Sequence, residues 1–360
     1  MIIDDNVLNE DRISSIQSNE NLNLFSKLST QDDDLLNPYD NIDISCKYRS
    51  MTESFHHMKT NVGLKVLSWN IHSLNSKFNE FLDFLKEYEN NDCIFDLIII
   101  QESWKVKNPN SLQLDGYNFL YKTRVESEGG GVAFYINKNL KFREKSCFSI
   151  FEEKIFESLC VEIEVNKKEK VLISNVYRSN CDHPQLTPLQ QTNRFLDIFA
   201  NLQDQISSYN TEAYIFGDFN FDLLKFEQNI NIRDLMENSF SNGFLELISL
   251  PTRVTQATAT LIDHVYTNSN KKNFDSSIIL SDISDHFPIL TIMNDKKKCK
   301  KSSYAYVRNF NDQSLDAFKV ELQNINWDQL YAENDAQRAY ETFHEIFNAA
   351  YDRHFPLKKI

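Results

Sequence analysis

Nowhere in this 360-residue chain do eighteen apolar residues run uninterrupted, although a helix needs about that length to cross a bilayer. The first residues, MIIDDNVLNED, are acidic and lack the basic-then-apolar layout of a secretory signal. There is also no CxxC pair. The six cysteines, at 46, 93, 147, 160, 181 and 299, are scattered, which argues against a zinc module or a disulfide framework and suits a reducing, intracellular compartment. Positive charge is short as well. The net charge is −14, and residues 64–293 carry 22 Lys/Arg against 31 Asp/Glu. A pure nucleic-acid-binding module usually shows a basic footprint. An enzyme is compatible with this balance, because bound cations neutralise a cluster of carboxylates locally. No internal repeat occurs.

What is present falls into three stretches. Residues 1–62 are rich in Asn, Asp and Ser, with an acidic run at Asp32–Asp34. That composition predicts a mostly disordered acidic leader, with one short ordered piece near Cys46–Phe55. From Leu64, short apolar runs alternate with helical patterns, the signature of an α/β domain over residues 63–294. LKVLSWN (64–70), FDLIII (95–100), GGGVAFYI (129–136), AYIFGDFN (213–220), LIDHVYTN (261–268) and HFPILTIM (286–293) read as strands. ESLCVEIEV and KVLISNVYR read as a hairpin joined through Asn166–Glu169, and 188–209 as an amphipathic helix. After Met293 come a basic linker, DKKKCKK (295–301), and two helices within 312–354.

The chemistry-bearing residues fall at the ends of strands. Asn70, Glu102, Asp218, Asn220 and Asp263 each interrupt or terminate a strongly apolar run. Taken singly, each has an ordinary explanation: a turn-forming Asn or Asp, a solvated strand end, or a buried, hydrogen-bonded core histidine at His286. Together they would converge on one rim of a sheet, where α/β folds build sites. Phosphodiester hydrolysis needs that set: hard oxygen ligands for a cation, a base for water, and donors to the pentavalent phosphate.

In their order, SWNIHSL, QES, GGGVAFYI, NVYRS, GDFN, LIDHVYTN and SDHFPI resemble the motif series of the endonuclease/exonuclease/phosphatase superfamily. The likeness is greatest to the endonuclease domain of non-LTR retrotransposons of the jockey or chicken-repeat kind. CKYRSMTESF (46–55) resembles the leader before that domain, and YVRNFNDQSLDAFKVELQNINW with FHEIFNAAYDRHFPLKK resembles the segment that precedes the reverse transcriptase.

The resemblance implies a four-layer α/β sandwich of two packed mixed sheets flanked by helices, with a helical C-terminal extension. It implies Mg²⁺, with Mn²⁺ able to substitute, held by Glu102 with Asn70 and Asp285. Asp218 would deprotonate or orient water, and Asn220 would hold the water and a phosphate oxygen. His286 would contact the phosphate, steered by Asp263, and Tyr177 would donate to it. Arg178 would touch the DNA backbone, and Arg253 and Thr255, in the segment PTRVTQATAT, would probe the duplex. The implied partner is double-stranded DNA in the nucleus, with element RNA or a reverse transcriptase supplied in trans as further partners. No polymerase-type Asp-Asp turn is present, so residues 295–360 are expected to be a segment preceding a missing reverse transcriptase, with Phe343, Phe347 and Phe355 lacking a packing partner. One departure is His72, where apurinic endonucleases usually carry Asp. The competing readings are a small-molecule or lipid-headgroup phosphatase of the same superfamily, and an inactive fragment that only binds nucleic acid or protein.

Overall fold

The computed structural model describes residues 42–125, 127–166, 169–255, 257–270, 273–293, 306–308, 312–333 and 335–359. The chain divides into two compact units, residues 1–299 and 300–360.

The first unit is built on two sheets. One is assembled from β1 (Asp43–Arg49), β2 (Leu64–Asn70), β3 (Leu97–Gln101), β4 (Tyr117–Lys122), β5 (Val132–Asn137), β15 (Asn273–Ile279) and β16 (Ile289–Met293), in the order β1-β15-β16-β2-β3-β5-β4. The other runs β11-β14-β10-β9-β8-β6 and uses β6 (Lys141–Glu144), β8 (Phe156–Asn166), β9 (Glu169–Tyr177), β10 (Ala213–Asp218), β11 (Leu245–Glu246) and β14 (Asp263–Thr267). β7 (Phe151–Glu152) pairs with β8, and β12 (Arg253–Val254) pairs with β13 (Ala259–Thr260) as a separate hairpin. Both sheets are mixed: β2–β3 and β9–β10 are parallel, while β16–β2 and β10–β14 are antiparallel.

Strand alternation explains the layering. In β2, Val66 faces the core shared by both sheets, and Leu67 and Trp69 face the opposite side, against α1 (Met51–Thr60) and α2 (Leu74–Asn90). Both faces are apolar because both are covered. On the second sheet, α3 (Pro188–Ser208) packs Phe195, Phe199 and Leu202 alongside Leu235 of α4 (Ile230–Ser241). A Thr187 capping box and a proline in the first turn fix where α3 begins. The architecture is therefore two packed mixed sheets flanked by helices. A polar contact bridges the sheets inside the core: Gln101 Nε2 donates to Asn175 Oδ1 at 2.8 Å, and Asn175 Nδ2 donates to the carbonyl of Ile100 at 2.9 Å. Such a bond fixes relative register, because a slip would strand four buried polar groups.

One expectation needs correction. The ordered piece foreseen near Cys46–Phe55 extends over Asp43–Thr60, and β1 is a full edge strand in parallel register with β15. It lies inside the stretch expected to be leader. Its alternation is weak, and its buried residues, Cys46 and Tyr48, sit among polar neighbours. The pairing that orders it comes from more than two hundred residues downstream. The rest of the expected leader, residues 1–41, lies outside the described residues, as does the basic linker. A chain truncated to 63–294 should therefore be several kcal/mol less stable than one spanning 42–294, since it loses the buried Tyr48, Phe55 and Met58 at roughly 1.5–3 kcal/mol each. Denaturant melts of the two would check this; equal midpoints would show that β1 and α1 contribute nothing.

The second unit contains α5 (Asp312–Asn324), α6 (Asp328–Tyr331) and α7 (Ala336–His354), with β17 (Tyr306–Arg308) paired to β18 (Leu357–Lys359). Phe355, expected to lack a partner, is buried against Phe318 and Ala350, and Phe347 packs on the same cluster. Phe343 stacks on Trp327 and stays 38% exposed.

Candidate active site

The parallel pairs β2–β3 and β9–β10 end at one rim, and the polar residues at those ends meet across the gap between the sheets. Asn70, the last residue of β2, donates from Nδ2 to Asp218 Oδ2 at 2.8 Å and to Glu102 Oε1 at 3.1 Å. Tyr177, the last residue of β9, donates to Glu102 Oε1 at 3.0 Å. Glu102 thus collects two donors on one oxygen, and its other oxygen accepts from Trp104 Nε1 at 3.1 Å. Burial, followed by the charges of Glu102 and Asp218, pushes the Tyr177 phenol far up, so it stays a donor.

Asp218 stands directly opposite Asp263 in the β10–β14 register. Burial, then the Asp263 charge, pushes its carboxyl up to about 7. Asp263 meets His286 Nδ1 at 2.8 Å. Burial alone would lower the imidazole pKa, but the charge and hydrogen bond of Asp263 raise it to about 9. With Nδ1 directed at Asp263, Nε2 is the nitrogen that can address a substrate. Asp218, Asp263 and His286 place ligand atoms within 4.8 Å of one another, close enough to share a cation. The Asp263–His286 contact argues for a different use, a carboxylate orienting an imidazole.

The backbone is unusual here. Of eight non-glycine residues with positive φ among the described residues, five are His72, Ser73, Glu102, Trp104 and Asn220. Left-handed backbone in non-glycine residues costs about 1–3 kcal/mol and gathers where geometry serves a site. All of these but Ser73 border a cleft of about 220 Å³, which Tyr177, Asp285 and His286 also line.

Seven of the expected residues are thereby brought together: Asn70, Glu102, Tyr177, Asp218, Asn220, Asp263 and His286. Two of the expected residues have internal partners. Both Asn220 Nδ2 contacts are internal, to the carbonyl of Arg178 at 2.7 Å and to Asp218 Oδ2 at 3.2 Å, so this amide holds the Asp218 carboxylate in place. Arg178 does not face a DNA backbone. Its guanidinium lies 4.1 Å from the Phe221 ring centroid and donates to the Asn220 carbonyl and to Thr192, and burial lowers its pKa to about 10. A strand-end Tyr-Arg pair looks like surface in a sequence; here α3 covers the arginine.

Asp285 and Arg253 pair with each other at 2.7 Å, each 41% exposed. Burial would raise the Asp285 carboxyl pKa, but His286 and Arg253 hold it below the usual range. Thr255 bonds Thr258 within its own hairpin. Thr252, from the segment expected only to probe substrate, instead supports the site: its hydroxyl donates to Asp263 Oδ2 at 2.6 Å. Ser284 donates to the Asn70 carbonyl at 2.8 Å, tying the His286 loop to β2. Ser284 opens the SDHFPI motif without a role assigned to it, and Thr252 lies outside the motif series. His72, at the site of the departure, sits beside Glu102 at 3.6 Å and against the Trp104 ring.

A divalent cation fits this donor set. Glu102 offers carboxylate oxygens at a strand end and Asp285 lines the same cleft, while Asn70 beside them turns Nδ2 to Glu102 and Oδ1 to the His72 N–H; the Cys181 thiol at the cleft wall contacts Asn180 Oδ1.

No curated protein matches the chain. Among solved structures, the AP endonuclease LMAP from Leishmania major shares the fold at a TM-score of 0.53 and 12% identity, over 76% of this chain and 99% of that one. The 3′ phosphatase NExo from Neisseria, bound to a product DNA hairpin, aligns at 0.49 and 16%, over 63% and 98%. The endonuclease domain of TRAS1, a telomere-specific non-LTR retrotransposon, aligns at 0.47 and 14%, over 65% and 100%. A family model matches residues 67–286, more than half the chain and the whole of the site from Asn70 to His286, so the chain belongs to the Endonuclease/Exonuclease/phosphatase family.

Proposed function

We propose that the chain is a Mg²⁺-dependent DNA endonuclease of non-LTR retrotransposon origin, nicking one strand of a duplex to leave a 3′-hydroxyl. The observation that carries the catalytic part is the Asp263–His286 pair facing Asp218 across one strand register, beside a carboxylate fixed by three donors. The retrotransposon origin rests on the motif series and its flanks.

In this reading Glu102, Asn70 and Asp285 hold the cation, which when bound neutralises phosphate charge as a Lewis acid. Asp218, raised in pKa by burial, takes the proton from the attacking water, while Asn220 and Asn70 hold the carboxylate in line. His286 presents Nε2 to a phosphate oxygen, and Asp263 with Thr252 fixes the ring. Tyr177 keeps Glu102 oriented.

A supercoiled-plasmid assay tests this. Nicking should appear with Mg²⁺ or Mn²⁺, fall below about a hundredth of that rate in EDTA, and leave ends that a polymerase extends. Activity with Zn²⁺ alone would overturn the ligand assignment. Phosphate release from inositol phosphates without nicking would favour the phosphatase reading, and neither activity would favour a binding fragment.

A further inference from the structure

The site described so far is strongly acidic, yet its substrate in the proposed reading is an anion. Of the two arginines that line the cleft, Arg253 is exposed and has been described; the other, Arg124, lies just after β4, and no role has been given to it. Arg124 is only 4% exposed. Its Nε donates to Glu157 Oε1 at 2.5 Å, and Nη1 lies 3.5 Å from Ser127 Oγ. Nη2 is buried with no hydrogen-bond partner among the described residues.

Glycine backbone packs directly against that guanidinium. A Cβ on Gly130 would stand 2.4 Å from its Cζ and Nε and 2.5 Å from Nη2, and one on Gly131 would meet Ser103 Oγ at 2.8 Å. Both glycines have positive φ, 73° and 84°. Tyr177 lies on another side, its ring centroid 6.0 Å from the guanidinium carbon. Glu157 is held in turn by the backbone N–H groups of Gly131 (2.6 Å) and Lys154 (2.9 Å). A buried arginine with one nitrogen unpartnered at a cleft wall is costly to maintain, and an arriving anionic oxygen removes that cost.

We propose that Arg124 is a phosphate-binding residue: its guanidinium, held by Glu157 behind bare glycine backbone, receives a non-bridging oxygen of the DNA strand in the cleft. This rests on the DNA reading above. The glycine run is then needed twice, to turn the chain into β5 and to leave room for the guanidinium at the cleft wall.

The test removes both charges of the pair at once, as Arg124→Met with Glu157→Gln in the full chain. Net charge is unchanged, so long-range electrostatics do not move, and replacing a buried pair together is generally tolerated. Binding of a short duplex is followed by fluorescence anisotropy in EDTA across about 50 to 200 mM salt, alongside a thermal melt. Loss of one direct phosphate contact lowers the slope of log K against log salt by about 0.9, and affinity should drop about tenfold at the low-salt end. Arg124→Lys, the gentler change, should weaken binding at least about threefold through loss of the planar fork. A folded variant of either kind with wild-type affinity and slope overturns the role of Arg124 while wild-type nicking stands. A wild-type chain that neither binds nor nicks duplex DNA overturns both readings.

Discussion

Asp218→Asn should lower plasmid nicking at least about a hundredfold, and His286→Gln by a similar factor, the scale expected of a general base and of an electrostatic donor. The two changes should differ in stability. Asp218 and His286 are buried, 1% and 5% exposed, and do not sit on a solvated rim where substitution is harmless. In Asp218→Asn two effects oppose. Removing a carboxylate that faces Asp263 relieves like-charge repulsion. Against that, an amide has one acceptor where Asp218 uses two oxygens, accepting from Asn70 Nδ2, from the Asn220 N–H and from Asn220 Nδ2. These terms are of about 1 kcal/mol each, so the melting temperature should stay within about 5 °C of wild type. His286→Ala is the harsher variant, because it leaves Asp263 buried with Thr252 as its remaining side-chain partner. Glutamine keeps a polar group near Asp263 and is the better probe of catalysis. Wild-type nicking by either folded variant would remove that residue from the mechanism.

The limits of the sequence are physical. Asn70, Glu102, Asp218 and Asp263 were legible because a polar residue at the end of a fully apolar run is conspicuous. The structure then shows Asn70 bonded to both Glu102 and Asp218, with Asp263 opposite Asp218 in register. The hairpin through Asn166–Glu169 and the helix from Pro188 were legible for similarly local reasons: strand alternation, and a proline after a capping threonine. What was hidden depends on partners far along the chain. Thr252 looks like one threonine among several until the β12–β13 hairpin folds the chain back and sets its hydroxyl on Asp263. Arg124 looks like a surface residue until Glu157, on another strand, buries it. Arg178 was assigned to DNA because nothing local reveals that Phe221 and Thr192 enclose it. β1 was taken for leader because its ordering comes from β15, which carries few apolar residues of its own.

Gly217→Ala should cost at least about 3 kcal/mol, lowering the melting temperature by roughly 6–12 °C, and should lower nicking in whatever protein still folds. Within GDFN the glycine could be taken as a turn former, yet it lies inside β10, flanked by Val176 of β9 and His264 of β14. A Cβ there would stand 1.9 Å from the Val176 carbonyl oxygen and 2.8 Å from its carbon. The obstacle is backbone in the middle of the sheet, so no side chain can swing aside; the two strands must part. The next pair in register is Asp218 with Tyr177, so parting the strands would pull Asp218 away from the phenol that donates to Glu102. Gly243→Ala is the control. It has φ of 78° but nothing within 4 Å of an added Cβ, so only the left-handed backbone penalises it, by about 1 kcal/mol. If the two alanine variants melt alike, close approach of β9 and β10 is not what demands glycine at 217. If Gly217→Ala is much the weaker and loses activity with its stability, the glycine of GDFN is there so that two strands can bring their terminal residues into one site.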